Sequence, residues 1–157
     1  MKFCADSSAL LRIYLNADGA QTIERFLTDD AKIISVSDLG RVEVLNVLLR
    51  DSESAAADKF DEDLAEGGRL RLEPVDWLDT FQQAESLARR FSRTLRPGGH
   101  DLVLVAAAVA MGATWFLSFD RNSRQRPLAA AAGLRVWPAL GKQEQGLVKR
   151  ASRQIRG

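Results

Sequence analysis

The sequence predicts an α/β protein whose parallel sheet is covered by helices on both faces. Two apolar runs rich in β-branched and aromatic residues, KIISV at 32–36 and ATWFLSF at 113–119, predict strands. Longer stretches with helical periodicity separate such runs, and glycine, proline and cap-type residues punctuate them. Strands that alternate with helices favour a parallel sheet. A chain of 157 residues fits one domain with a core of its own.

The first half of the chain supplies three predicted strands and four predicted helices. Cap-type residues at Asp6, Ser7 and Ser8 begin the first helix, and Gly67-Gly68 ends the fourth. The predicted elements are, in order, a strand at 1–5, helices at 9–15 and 20–27 separated by a break at 16–19, a strand at 32–36, helices at 38–51 and 54–65, and a strand at 69–73.

The second half continues the alternation after a helix and a break at Pro97-Gly98-Gly99. Its predicted elements are helices at 76–93 and 101–111, the strand at 113–119, a short helix at 123–132 ended by Gly133, and a last strand at 134–137.

Residues 142–157 carry five cations against one acid, Glu144. This tail could form a helix, bind RNA or be disordered. Its charges fit either a solvated face or a phosphate-rich partner.

Composition excludes several classes of protein. The single cysteine, Cys4, rules out an internal disulfide framework and predicts a cytoplasmic location, and it reads as a small buried apolar residue. The single histidine excludes a zinc site that needs several His or Cys ligands. The longest apolar stretch, 102–113, is too short to span a bilayer, and the early acid Asp6 argues against a signal peptide. A net charge of +1 gives no global signature of nucleic-acid binding.

Four acids, Asp6, Glu43, Asp101 and Asp120, lie within or directly after dense apolar stretches. Buried carboxylates are costly unless they are paired or bind a cation. Two carboxylates about 4 Å apart repel by roughly 4 kcal/mol at an effective dielectric constant of about 20. A divalent metal is therefore the simplest partner if the fold brings these acids together.

The predicted elements place two of the four acids at the carboxyl edge of the sheet and the other two on helices, pointing inward or at an edge of the core. Asp6 and Asp120 directly follow strands, and ligands of open parallel sheets bind outside the carboxyl ends of the strands. Asp101 and Glu43 share the inward stripe of their helices.

Each acid also has a purely structural interpretation. Asp6 and Asp101 could be helix caps without any further role, and Asp120 could serve simply to start a turn. Glu43 could form an ion pair with Arg41 or Arg12. The hypothesis of a metal site would be excluded only if all four structural interpretations were correct at the same time.

The order and setting of these acids resemble the PIN-domain nucleases and, within them, the VapC toxins of bacterial toxin–antitoxin pairs. The segment FDRNSRQRPLAAAAGLRVWP is also similar to that family. The resemblance covers residues 1–140 and implies a PIN-like three-layer α/β/α sandwich with a central parallel sheet. Residues 141–157 would be a basic C-terminal extension for which the family gives no account. Ser118 stands where threonine is frequent.

The resemblance implies a Mg²⁺- or Mn²⁺-dependent endoribonuclease. Asp6, Glu43, Asp101 and Asp120 would be catalytic; the three aspartates would bind the metal, and Glu43 would orient the attacking water. Supporting or substrate-binding roles fall to a second group of residues: Ser7, Asn46, Ser118 and Arg121. The implied partners are an RNA substrate, a cognate antitoxin and a second copy of the chain, without a membrane.

Four further residues or groups receive weaker predictions. Arg121, Arg124 and Arg126 could steer phosphates, and His100 reads as a polar loop residue rather than a general acid. Asn46, one turn after Glu43, could hold that carboxylate or be a polar group at the edge of the core. Leu10, Leu11, Tyr14 and Leu15 could supply an apolar contact patch for a homodimer.

Two other functions compete with the nuclease. A phosphatase of the haloacid-dehalogenase type needs a second aspartate two residues after the first, where this chain has Ser8. A non-catalytic domain that binds RNA or protein would not need to retain all four acids.

Overall fold

The computed structural model describes residues 1–15, 20–28, 32–52 and 54–155, and the predicted break at 16–19 lies outside them. In this part of the chain a five-stranded parallel sheet has the order β3-β2-β1-β4-β5. Its strands are β1 (Phe3–Ala5), β2 (Ile34–Val36), β3 (Leu70–Leu72), β4 (Trp115–Leu117) and β5 (Arg135–Trp137). The strand order reverses beside β1, so the carboxyl ends of β1 and β4 meet at the place where such sheets bind ligands.

Helices cover both faces of this sheet. They are α1 (Ser7–Tyr14), α2 (Ala20–Thr28), α3 (Asp38–Asp51), α4 (Ser54–Glu66), α5 (Trp77–Leu95), α6 (Gly99–Ala110), α7 (Gln125–Ala131) and α8 (Lys142–Ile155). Phe3 and Leu117 belong to a core with residues of α1 to α4, and Cys4 and Phe116 to a second core with residues of α5 to α8. The predicted three-layer α/β/α sandwich with a central parallel sheet is confirmed.

The strands are shorter than the apolar runs that predict them. Only Trp115–Leu117 of the run at 113–119 is strand, because the chain then turns toward α7. Helix α6 begins at Gly99 rather than at residue 101. Asp101 therefore lies in the first turn, where its carboxylate accepts a hydrogen bond from the Gly98 N–H at 2.9 Å.

The basic tail forms a helix over Lys142–Ile155, which answers one of the alternatives left open by its sequence. Leu147 and Ala151 of α8 are buried in the core that also contains residues of α5 and α7.

Cys4 is buried as expected, and burial raises the pKa of its thiol to about 12. Within the described residues, none of the helices has the length and apolar character needed to cross a membrane.

Candidate active site

Asp6 sits at the carboxyl end of β1 and is only 1% exposed. Its carboxylate accepts hydrogen bonds from the hydroxyls of Ser8 and Ser118, each at 2.6 Å, and from the Ala9 N–H at 3.1 Å. The last of these bonds makes Asp6 the N-cap of α1. The capping interpretation of Asp6 and its placement at the sheet edge are therefore both true, and neither excludes the other.

Burial raises the pKa of Asp6 to about 6. Hydrogen bonds from Ser118 and Ser8 act against this rise, and the negative charge of Asp120 adds to it. At neutral pH the ionised carboxylate is therefore held in an environment that disfavours its charge. A cation beside Asp6 would stabilise the ionised form.

Asp120 lies after β4 and organises the loop that leads to α7. One carboxylate oxygen accepts from the N–H groups of Asn122 at 2.9 Å and Ser123 at 3.1 Å, and the other accepts from the Gln125 side-chain amide at 3.2 Å. Its own N–H donates to the Ser118 hydroxyl at 3.2 Å. Ser118 thus connects Asp6 and Asp120, and Asp120 does start a turn.

Asp101 is 8% exposed and ties α6 to the start of α7. Its Oδ2 accepts from the N–H of Gly98 at 2.9 Å and of Arg124 at 3.3 Å. No described residue donates a hydrogen bond to its Oδ1. One oxygen of Asp101 thus stays available to a ligand or to water.

Glu43 of α3 meets His100 of α6, with Glu43 Oε1 at 2.7 Å from His100 Nε2. Burial raises the pKa of Glu43, and the contact with His100 acts in the opposite direction. Arg41 instead donates to Asp61 at 2.9 Å, so the Glu43–Arg41 ion pair is not formed. Asn46 is exposed and makes no hydrogen bond to Glu43 in the described chain. His100, which the sequence suggests to be an ordinary loop residue, is therefore the group that holds Glu43.

The other residues predicted to support the site are less closely involved. Ser7 makes no side-chain hydrogen bond to any residue that the structure describes, whereas its neighbour Ser8 contacts Asp6 and accepts from the Phe119 N–H at 2.9 Å. Arg121 is exposed, near the first residues of α8. Ser7 and Ser8 look alike in the sequence, where either could cap α1 or contact a metal-bound water, and it is Ser8 that donates to Asp6.

Arg126 differs most from its prediction. It could not steer phosphates, because it is 0% exposed. Its guanidinium donates to the carbonyl oxygens of Ser118, Pro138 and Ala139 and to the Glu144 carboxylate, with Nε–Oε1 at 2.8 Å. An arginine between a charged turn and an alanine-rich helix carries no sequence signal that separates a surface cation from a buried one. Arg126 supports the backbone of the serine that holds Asp6.

The four acids form one continuous line of contacts rather than a compact cluster. The line runs from Asp6 through Ser118 to the loop of Asp120, then through the Arg124 N–H to Asp101, whose neighbour His100 contacts Glu43. In the described ranges, no group of three or more His, Cys, Asp or Glu side chains lies close enough to hold one ion.

The donor chemistry nevertheless fits a hard divalent cation that keeps most of its water. Such an ion needs only one or two direct carboxylates, and oxygen ligands are the ones it prefers. Among the described residues, two buried side-chain atoms lack a hydrogen-bond partner, Glu43 Oε2 and Gln125 Oε1, and both belong to this line. Unsatisfied buried polar atoms are rare in proteins, and both of these are acceptors that a bound water or a hydrated ion would satisfy.

Comparison with known proteins identifies the family. The family model of the PIN domain matches residues 3–128, most of the chain. The chain belongs to the PIN domain family. PIN domains are nucleases, so the line of acids lies in a fold that hydrolyses nucleic acids.

Solved structures similar to this PIN domain include VapC toxins. The VapC20 toxin of Mycobacterium tuberculosis, described as cleaving the sarcin–ricin loop, is 19% identical, with a TM-score of 0.62 over 87% of this chain and 100% of that one. VapBC2 of Rickettsia felis, solved on a DNA fragment from its promoter, is 14% identical, with a TM-score of 0.65 over 87% and 97%. The DNA-bound VapBC of Salmonella typhimurium is 14% identical, with a TM-score of 0.57 over 87% and 96%. No curated protein matches the chain.

Proposed function

We propose that this PIN domain is a divalent-metal-dependent endoribonuclease and the toxin of a toxin–antitoxin pair. The observation that carries the proposal is the line of four acids at the carboxyl edge of β1 and β4. This line contains a carboxylate with a raised pKa and both of the unsatisfied buried acceptors of the described chain.

Asp6, Asp101 and Asp120 are the residues that would hold the cation. When bound, Mg²⁺ or Mn²⁺ lowers the pKa of a coordinated water and neutralises charge on a phosphate. Ser8 and Ser118 fix the Asp6 carboxylate through two short hydrogen bonds. Glu43 is half-buried and held by His100. In this proposal its carboxylate orients the attacking water and accepts a proton from it.

The proposed RNA substrate and antitoxin partner come from what the similar structures are. One is a toxin that cleaves an RNA loop, and others are toxin–antitoxin complexes, including one from Klebsiella pneumoniae. A phosphatase of the haloacid-dehalogenase type is not favoured, because Ser8 occupies the position of its second aspartate and donates to Asp6.

A homodimer is supported by exposed apolar side chains at the start of α3 and α5. Val42, Leu78 and Phe81 are 63%, 72% and 57% exposed. The starts of the two helices are joined by a hydrogen bond from the Val75 N–H to Asp38. The contact patch predicted around Leu10 is wrong for that residue, which is fully buried in the core. The exposed apolar side chains of α3 and α5 are better candidates than Leu10 for a contact with a second copy.

Cleavage of a mixed, structured RNA by the purified chain tests the proposed function. With Mg²⁺ or Mn²⁺ the wild type is expected to cut, and EDTA is expected to abolish cutting. Asp101→Asn should lower the rate by on the order of 100- to 1,000-fold, since it removes a charge that would face the cation. The matched control is Asp58→Asn, which changes an exposed acid of α4. No cutting by the wild type, together with no effect of either metal on its melting temperature, would favour the non-catalytic alternative.

His100 gives a second test of the site. His100→Phe removes the hydrogen-bond partner of Glu43, so the pKa of Glu43 should rise further and kcat should fall by about 10- to 100-fold. His100→Gln retains a donor and should recover part of kcat. Because His100 is exposed, the melting temperature should change little in either variant. A His100→Phe enzyme with wild-type kcat would remove Glu43 from the mechanism.

A further inference from the structure

Both ends of α8 are anchored close to the line of acids. At its start, Glu144 pairs with Arg126, which in turn holds the Ser118 carbonyl. Near its end, Gln154 accepts a hydrogen bond from the Thr94 hydroxyl of α5. Thr94 lies four residues before Gly98, whose N–H donates to Asp101. Helix α8 is therefore tied at its start to the segment of Ser118 and near its end to the last turn of α5, which leads into the turn that holds Asp101.

Cations line both sides of the seam between α5 and α8. Phe91 and Leu95 of α5 share a buried core with Leu147 and Ala151 of α8. Residues three and four apart lie on the same side of a helix. Arg90 lies four residues before Thr94 and therefore on the same side of α5, and Arg93, three residues after Arg90, continues this row of cations.

On α8, Arg150 lies four residues before Gln154 and therefore on its side of the helix, and Arg153 lies three residues after Arg150. All four arginines of the seam are exposed. The hydrogen bond between Thr94 and Gln154 brings the two rows side by side.

These charges have no acidic counterpart. Arg93, Arg150 and Arg153, with neighbouring Arg96 and Lys149, form no ion pair with any described residue. Glu85, the last acid of α5, is already paired with Arg89 at 2.6 Å. No acid occurs between residues 86 and 100 or after Glu144. Because the net charge of the chain is only +1, the rest of the molecule is net acidic and this surface is a local exception.

We propose that this basic seam, the surface of Arg90, Arg93, Arg96, Lys149, Arg150 and Arg153, binds the phosphate backbone of the RNA substrate and presents it to the acids. The proposal rests on the proposed nuclease function. A polyanion fits because the cations extend along two adjacent helices, and α8 alone is about 21 Å long. Phosphate contacts of this kind supply affinity and position without reading the base sequence. The seam ends at Arg96, next to the turn whose Gly98 N–H binds Asp101.

Salt-dependent binding of a labelled, structured RNA in EDTA tests the basic seam without requiring cleavage. The variant is Arg93→Gln/Arg150→Gln/Arg153→Gln. The matched control, Arg25→Gln/Arg69→Gln/Arg71→Gln, removes the same charge from exposed arginines of α2 and the β3 region. Each lost contact to a single-stranded phosphate should reduce the slope of log K against log salt by about 0.7. The seam variant should therefore lose about 2 in slope and at least tenfold in affinity at about 0.1 M salt, with the control within twofold of wild type.

Equal effects of the seam and control variants would overturn the proposal, as would RNA binding that stays at the wild-type level while binding to phosphatidylserine vesicles is lost. Circular dichroism melting within a few degrees of wild type establishes that both variants are folded. The two proposals can fail separately. If the wild type binds RNA through the seam but never cuts it, the seam proposal stands and the nuclease proposal fails. If the wild type cuts RNA and both variants bind it equally well, the nuclease proposal stands and the seam proposal fails.

Discussion

Replacing Arg126 with methionine is expected to lower the free energy of unfolding by about 3–5 kcal/mol, the usual cost of removing one partner of a buried ion pair. The guanidinium is completely buried and donates to three carbonyl oxygens and one carboxylate. Methionine fills a similar volume but donates no hydrogen bond. The Glu144 carboxylate and the carbonyls of Ser118 and Pro138 would then be left without this donor in a region of low dielectric. Urea unfolding followed by circular dichroism measures the loss.

The nearby Arg124→Met is the matched control, because its side chain is exposed and only its backbone N–H is used by the site. Its effect should stay within about 0.5 kcal/mol. A second variant separates charge from packing. Arg126→Met/Glu144→Leu removes both charges and should recover part of the loss, as apolar replacements of buried pairs do. An Arg126→Met protein no less stable than the Arg124→Met control would show that the buried pair contributes nothing.

The pH dependence of this pair follows from Glu144. Burial tends to raise the pKa of Glu144, but hydrogen bonds from Arg126 and from the Gly141 N–H outweigh burial and lower it. A carboxyl whose pKa is lower in the folded state contributes stability above its unfolded pKa and loses that contribution as the pH falls through the folded value. Acid should therefore loosen the start of α8 and, through Arg126, the backbone of Ser118.

The layers of the fold could be predicted from sequence because the strand and helix patterns are local. The three central strands, β1, β2 and β4, are each only three residues long, yet they are apolar or buried on both faces, as expected for strands covered by helices on both sides. The edge that carries Asp6 and Asp120 follows from the same pattern, since both residues directly follow strands. What the pattern could not give is where each strand stops, because the turn toward α7 depends on hydrogen bonds that Asp120 makes to its own loop.

The partners within the site were harder to predict, because they depend on contacts between distant segments. His100 meets Glu43 across 57 positions of the chain, and Ser118 meets Asp6 across 112. Arg126 looks like its neighbours Arg121 and Arg124 in the sequence but is the one that points inward. The compact cluster of acids expected from sequence is instead a line, because loop and helix N–H groups already occupy oxygens of Asp101 and Asp120.

Replacing Asp6 with asparagine is expected to remove cleavage and, in the absence of metal, to stabilise the protein above pH 6. Asparagine retains an acceptor for the Ala9 N–H and can exchange hydrogen bonds with the hydroxyls of Ser8 and Ser118. The pKa of Asp6 in the folded protein, about 6, lies above the ordinary value of 3.8 for an aspartate. The ionised carboxylate therefore lowers the stability of the wild type by about 1–3 kcal/mol at pH 8, at 1.36 kcal/mol for each unit of pKa shift.

The size of this stabilisation changes with pH in a defined way. A group whose pKa is higher in the folded state makes its full contribution to stability below its pKa in the unfolded state. It loses that contribution as the pH rises through its pKa in the folded state. The Asp6→Asn protein should therefore match the wild type near pH 4 and exceed it increasingly up to about pH 7. Thermal melts in EDTA across this range measure the difference, and Asp58→Asn should show none of it. Adding Mn²⁺ should reverse the order at pH 8 by stabilising only the protein that retains the charge. An Asp6→Asn protein that is less stable than wild type at pH 8 without metal would mean that the capping hydrogen bonds of the carboxylate outweigh the cost of burying its charge.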